Sequence, residues 1–225
     1  MEKMLGLLRN FKRLLGALLH REPSDEFQYW KLRVSLHGRR SVLNLGHSDE
    51  EYDKVTSWQQ GELFPFLLRE LKGGEKSAVD FGCGPGRHTG ELARAIKGKV
   101  YGADPMKGLL ALAPAREGVE YLLMRDGKVP LEDGCADLVW VCLVLGGLRE
   151  KKLAQAAAEI DRLLKPEGLL FLVENTADKP HAAWWHFHPV EFYQKLFPSV
   201  GLRHLHDYSD LGERISVLSG RKLGQ

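Results

Sequence analysis

The chain has 225 residues, of which 44% are hydrophobic and 28% charged, enough for one conventional core and too apolar for a disordered chain. Three cysteines cannot build a disulfide framework and suit a reducing, cytoplasmic setting, and no apolar run approaches the roughly 18 residues of a membrane span. A net charge of +2 does not by itself point to nucleic acid.

The charge is unevenly spread. Residues 1–21 carry five Lys/Arg and one Glu, leaving 27 basic and 29 acidic residues in the remainder. In the same segment Met4, Leu7, Leu8, Phe11, Leu14, Leu15, Leu18 and Leu19 recur at helical spacing, opposite Lys3, Arg9 and Arg13. This pattern predicts an amphipathic helix with two candidate partners: the main domain, or a membrane surface whose anionic headgroups meet the basic side. The interrupting charges argue against a secretory signal. With the rest of the chain slightly acidic, no basic face for a nucleic-acid partner is expected.

Residues 22–72 are polar and less regular. A helical pattern runs from Glu62 to Leu71 and stops at Gly73-Gly74. Residues 1–72 therefore read as a helical extension or lid, and residues 73–225 as the main domain.

From Ser77 onward, short apolar runs alternate with helical patterns. Strands are predicted at Ser77–Phe81, Lys99–Ala103, Val119–Met124, Asp137–Leu143 and Leu169–Glu174, with helices at Arg87–Ile96, Met106–Ala113 and Arg149–Leu164. Such alternation implies a doubly wound parallel sheet with right-handed crossovers. After a helix at Val190–Phe197, two strands, Leu202–Tyr208 and Ile215–Arg221, follow with only a short turn between them. They are most simply antiparallel. The expected fold is an α/β, mostly parallel seven-stranded sheet with an antiparallel last strand.

The strongest local signal is Val79-Asp80-Phe81-Gly82-Cys83-Gly84-Pro85-Gly86, a strand entering glycines and then a helix. Glycines let the backbone turn sharply and approach a ligand, and the helix start offers free N–H groups. The spacing is G-x-G-x-G, which fits neither the dinucleotide fingerprint nor a P-loop. A nicotinamide-dependent oxidoreductase is thereby disfavoured. Asp104 ends the second strand 24 residues after Asp80, where a carboxylate can accept both hydroxyls of a ribose. Asp126 follows the third strand and can accept from a purine amino group.

With these residues in place, the chain resembles the class I S-adenosylmethionine-dependent methyltransferases, type 11 group, over about residues 77–174. DFGCGPGRHT looks like the family's cofactor loop, GADPMKGLLALA its ribose segment, RDGKVPLEDGCADLVWV its adenine-side acid and fourth strand, and RLLKPEGLLFLVE its passage into the fifth strand. The resemblance implies that Asp80, Gly82, Gly84 and Gly86 surround the methionine portion of S-adenosylmethionine. It further implies that Asp104 holds the ribose, that Pro105 or Met106 flanks the adenine, and that Asp126 and Gly127 meet its edge. Cys142 would face the sulfur, and Tyr52 would cover the methionine end. The chain departs from the family at Met106, Ala136 and Glu167, and at Gly146-Gly147, where many relatives carry histidines. The implied function is methyl transfer to a small-molecule or lipid-like acceptor; a non-catalytic cofactor-binding protein is the alternative.

Acceptor recognition is expected in the segment His181–His188, after the fifth strand, where two tryptophans and a phenylalanine stand within four residues. There His186 and His188 are the candidate catalytic residues, to orient the acceptor or take its proton. The H-x-H spacing lacks companion ligands at a zinc-like interval, so no metal is expected.

Overall fold

A computed structural model describes residues 23–224; the predicted helix within residues 1–21, with its choice between domain and membrane, lies outside them. The sheet has seven strands: β1 (Ser77–Phe81), β2 (Lys99–Asp104), β3 (Val119–Leu123), β4 (Ala136–Cys142), β5 (Leu164–Asn175), β6 (Arg203–Asp210) and β7 (Glu213–Arg221). Their spatial order is β3-β2-β1-β4-β5-β7-β6. The first five pair in parallel, and β7 runs antiparallel to both β5 and β6. Only β7 opposes the rest, as its lack of a preceding helix predicts.

Alternation along the strands divides the core into two layers. Val139 and Val141 of β4, with Leu170 and Leu172 of β5, face α5 (Glu150–Leu163) and α6 (Val190–Leu196). Leu138, Trp140, Leu169 and Phe171 face the other way, onto α2 (Tyr52–Glu70) and α3 (Thr89–Ile96). Trp140 is wholly buried there, stacked on Phe171 with ring centres 4.9 Å apart and on Phe64 at 5.3 Å.

Two helices depart from the expected pattern. A capped helix, α1 (Glu26–His37), forms in the segment read as irregular, its start fixed by the Asp25 carboxylate accepting the Gln28 N–H at 2.8 Å. Helix α2 begins at Tyr52, ten residues before the expected Glu62. Its buried residues Val55, Gln59, Leu63 and Leu67 keep strict i, i+4 spacing, and Pro65 sits on the exposed side, where its missing N–H leaves a carbonyl open to water. Conversely, the helix expected at Met106–Ala113 shortens to α4 (Lys107–Leu110).

The strand order reverses between β1 and β4, and the carboxyl ends of these strands open onto the main cavity, as expected at a topological switch point. Leu63, Phe64 and Leu67 of α2 belong to the sheet's own core, and α1 lines the cavity through Tyr29, Trp30 and Arg33, with Val34 against Gly108.

Candidate active site

The main cavity has a volume of about 410 Å³. Its floor is the turn after β1, held to β2 by the N–H groups of Gly82 and Cys83, which donate to the Ala103 carbonyl at 2.8 and 3.1 Å. Gly82 stands at φ +73°, and a Cβ there would lie 2.5 Å from Val144 Cγ2, so both the conformation and the packing demand glycine.

Asp104 is buried at the end of β2 and lines this cavity. Its Oδ2 accepts the Gly84 N–H at 2.9 Å and its Oδ1 the Met106 N–H at 2.7 Å. Each oxygen keeps a lone pair for a further donor. Burial raises its pKa to about 6. Asp80, which accepts from the Thr89 hydroxyl at 2.6 Å, is raised to about 7 by burial. Pro105, Met106 and Leu109 supply an apolar wall beside Asp104. Cys142 also lines the cavity, and burial pushes its thiol up to about 12, so it is a neutral wall and not a thiolate nucleophile.

The structure thus brings Asp80, Gly82, Asp104, Pro105, Met106 and Cys142 to one cavity. Gly84 lies beside it, its missing Cβ leaving room for Val42. Gly86 and Tyr52 face a second hollow, of about 430 Å³, on the far side of the glycine turn; Tyr52 lies beneath the Arg39 guanidinium, 4.3 Å from its ring centre. Asp126 and Gly127 do not line the main cavity. They form a two-residue turn, both at positive φ, between Arg125 and Lys128, whose backbones exchange hydrogen bonds at 3.0 and 2.8 Å. The Asp126 carboxylate is exposed.

His186 and His188 are also displaced from their expected place. Along 185–188 alternate side chains diverge: Trp185 and Phe187 line the cavity, whereas His186 and His188 gather with His181, ring centres 5.2–6.3 Å apart. His188 stacks on Phe192 at 3.9 Å. Burial lowers the pKa of both, reinforced by the neighbouring His181. Among the described residues no group of three or more His, Cys, Asp or Glu is placed to hold a metal, and no helix is long and apolar enough to cross a membrane.

The Gly146-Gly147 pair also has a structural cause. A Cβ at Gly146 would lie 2.9 Å from Trp185 Cε2, and one at Gly147 would lie 3.3 Å from Trp30 Cζ2. Two indoles occupy the space that side chains here would need. Trp184, meanwhile, stacks on Tyr29 of α1 at 5.2 Å, so the aromatic segment both packs on α1 and walls the cavity.

Several site residues carry no local sequence signal. From α1, Tyr29, Trp30 and Arg33 line the cavity; Arg33 is held by the carbonyls of Ser41 and Leu43 at 2.6 and 2.7 Å. Glu174, fully buried at the end of β5, accepts the N–H groups of Val144, Leu145 and Gly146 at 2.9, 2.7 and 3.2 Å, and burial raises its pKa to about 7. It fixes the turn after β4. Asp210 reaches the cavity from the β6–β7 hairpin, with His47 Nε2 2.6 Å from its Oδ1. Those two residues are 163 apart in sequence.

A cavity of about 410 Å³ at the switch point, a G-x-G-x-G turn and a buried acid at the end of β2 give this α/β fold a site of nucleoside-binding geometry. Residues 79–172, under half of the chain, match the family described as "Methyltransferase domain", and over that segment the chain is similar to class I, type 11 S-adenosylmethionine-dependent methyltransferases. It is 38% identical over 105 residues to an uncharacterized 37.1 kDa protein in transposon TN4556 of Streptomyces fradiae, covering 44% of this chain and 30% of that protein. It is 30% identical over 125 residues to the mouse (Mus musculus) N-terminal Xaa-Pro-Lys N-methyltransferase 1, covering 51% of this chain and 56% of that one. The matched region therefore spans about half or less of either relative. The fold matches a SAM-dependent methyltransferase from Aquifex aeolicus at a TM-score of 0.58 and 19% identity, covering 77% of this chain and 98% of that one.

Proposed function

We propose that this chain binds S-adenosylmethionine in the main cavity and transfers its methyl group to a small, partly apolar acceptor. The observation that carries this reading is Asp104: a buried carboxylate held by two backbone N–H groups, with a lone pair left on each oxygen, beside a glycine turn and an apolar wall. This donor set fits an adenosine. Asp104 takes the ribose hydroxyls, Pro105, Met106 and Leu109 flank the base, and Asp80 and Gly82 line the methionine end. When bound, the sulfonium supplies an activated methyl electrophile. The protein's own task is then mainly placement, which for well-oriented partners contributes on the order of 7–11 kcal/mol.

Acceptor placement falls to the wall formed by Trp185 and Phe187, with Cys142 and Leu143 at the end of β4. Helix α1 serves as the lid through Tyr29, Trp30 and Arg33. A lipid-like acceptor draws its support from the aromatic wall alone. His186 and His188 lie off the cavity, so no proton transfer is assigned to them. The test has two stages. Calorimetry with S-adenosylmethionine and S-adenosylhomocysteine should show binding, and NAD should show none. Methyl-labelled S-adenosylmethionine with an acceptor panel should then yield labelled product. Binding without transfer to any acceptor would favour the non-catalytic alternative, because a binding site does not establish a reaction.

A further inference from the structure

Beyond the cofactor side, the polar groups of the cavity are unequally free. Arg33 is spent on two backbone carbonyls and the Tyr29 hydroxyl. Arg87 donates to Gln59 and Thr56. Glu213 accepts from Lys179 and from Asn175. Asp210 differs. It is 4% exposed, lines the cavity, and has one oxygen set by His47 at 2.6 Å, while no described residue bonds its Oδ2. A buried carboxylate with an open oxygen, backed by an imidazole, is a receptor for a cationic hydrogen-bond donor.

The surroundings define the rest of that ligand. Ile215, Leu143, Trp185 and Phe187 line the same cavity as Asp210. The hairpin tip is fixed as well: a Cβ on Gly46 would lie 2.6 Å from Leu211 Cδ1, so the segment carrying His47 is seated on the turn that follows Asp210. We propose, resting on the methyl-transfer reading above, that the acceptor is an amine on a short apolar or aromatic body, its ammonium held by Asp210 and its body by Trp185 and Phe187.

Charge movement supports nitrogen as the methylated atom. The bound ammonium first releases one proton to solvent water, so that Asp210 stays a carboxylate through the transfer. Its lone pair then forms the N–C bond as the C–S bond breaks, leaving the electron pair on sulfur. Positive charge thereby moves from sulfur to nitrogen, towards Asp210, and a fixed carboxylate at that end stabilises the charge as it develops. An acceptor carboxylate at the same place would meet like charge. His47 acts through Asp210 and is a positioning residue.

The experiment uses the full chain and matched probes: phenethylamine, benzylamine and tryptamine against 2-phenylethanol, benzyl alcohol and phenylacetate. Calorimetry on protein saturated with S-adenosylhomocysteine should show binding of at least one amine and of neither the alcohols nor the acid. Methyl-labelled S-adenosylmethionine should label the amine that binds. Asp210→Asn should raise the KM for that amine at least tenfold without changing the affinity for S-adenosylhomocysteine. His47→Gln should lower kcat more than it raises KM. Binding or labelling of an alcohol or the acid, or of no amine, overturns the proposal, as does an unchanged KM in Asp210→Asn. The probe comparison uses the unaltered chain, so it decides the matter even if Asp210→Asn melts. Failure to bind S-adenosylhomocysteine at all is a separate result, and it overturns the methyl-transfer reading itself.

Discussion

Asp104→Asn isolates the group on which the cofactor reading depends. The amide keeps the shape of the carboxylate, but one of its two ends becomes an N–H₂ donor. In the native protein those ends accept from Gly84 at 2.9 Å and from Met106 at 2.7 Å, so one backbone N–H loses its acceptor and one ribose hydroxyl loses a charged partner. Hydrogen bonds to a charged group contribute about 1.5–3 kcal/mol, so the dissociation constant should rise about 10- to 150-fold. Acidity gives a second signature. Burial raises Asp104 to about 6 in the free protein, so the accepting, ionised form fills in as pH rises through that value. At pH 5 only about a tenth of it is ionised, and native affinity should be about tenfold weaker than at pH 7 from this group alone. Asp80, raised to about 7 in the same cavity, adds its own titration. The difference between the native and Asp104→Asn profiles is therefore the informative quantity. Calorimetry with S-adenosylhomocysteine from pH 5 to 8 measures both effects. Equal affinities for the two proteins at pH 8 would refute the assignment of Asp104 to the ribose.

Gly146→Ala should lower the melting temperature, since its Cβ meets Trp185 at 2.9 Å and the His186 carbonyl at 3.0 Å and overpacking costs about 1–3 kcal/mol. It should also cut kcat/KM for the acceptor while S-adenosylhomocysteine affinity stays within about twofold, if Trp185 is an acceptor wall. Glu174→Gln tests the buried cap. Burial raises that carboxyl to about 7 from 4.5, so between those values the folded state holds a proton that the unfolded state lacks, and native stability falls as pH rises. The Gln variant has no such titration, so its melting temperature relative to the native protein should climb from pH 5 to pH 8; a constant difference would contradict it. Deleting residues 1–21 should lower the melting temperature without changing sedimentation with anionic vesicles, and the opposite pair of results would assign the leucine face to lipid.

The sheet was legible because its signals are local. β1, β2 and β4 are short, apolar, buried runs punctuated by glycine or acid, and a strand followed by a helix admits few topologies. The acids Asp80 and Asp104 were legible for the same reason: each ends a strand, and strand ends at the switch point share one edge. What escaped were residues whose meaning depends on distant partners. Val55, Gln59, Leu63 and Leu67 keep helical spacing, but the polar residues of the first half, Asp53, Lys54, Thr56, Ser57, Gln59 and Gln60, hide the pattern, and only the part from Glu62 onward was expected. The helix α1 has a weak pattern and no wholly buried residue; its aromatic side chains acquire a role only when Trp184 and Trp185 arrive from the far end of the chain. His186 and His188 were chosen by chemistry and proximity to aromatic residues. Backbone alternation then decided which neighbours reached the cavity, and a one-residue phase is not fixed by sequence in an irregular loop.

Gly146-Gly147 and the β6–β7 hairpin are two sides of one arrangement. Without side chains after β4, the backbone there admits Trp185 and, beside it, Trp30 from α1. Those indoles make the wall apolar where the family resemblance leads one to expect histidine, so polar recognition has to come from elsewhere on the rim. On the proposal above, the hairpin supplies it through Asp210, fixed by His47 from the loop that follows α1. Helix α1 meanwhile touches both ends of the site: Val34 lies against Gly108 on the adenosine side, and Tyr29 stacks on Trp184 on the acceptor side. A displacement of α1 would therefore disturb the Gly108 contact and the Trp184 stack together.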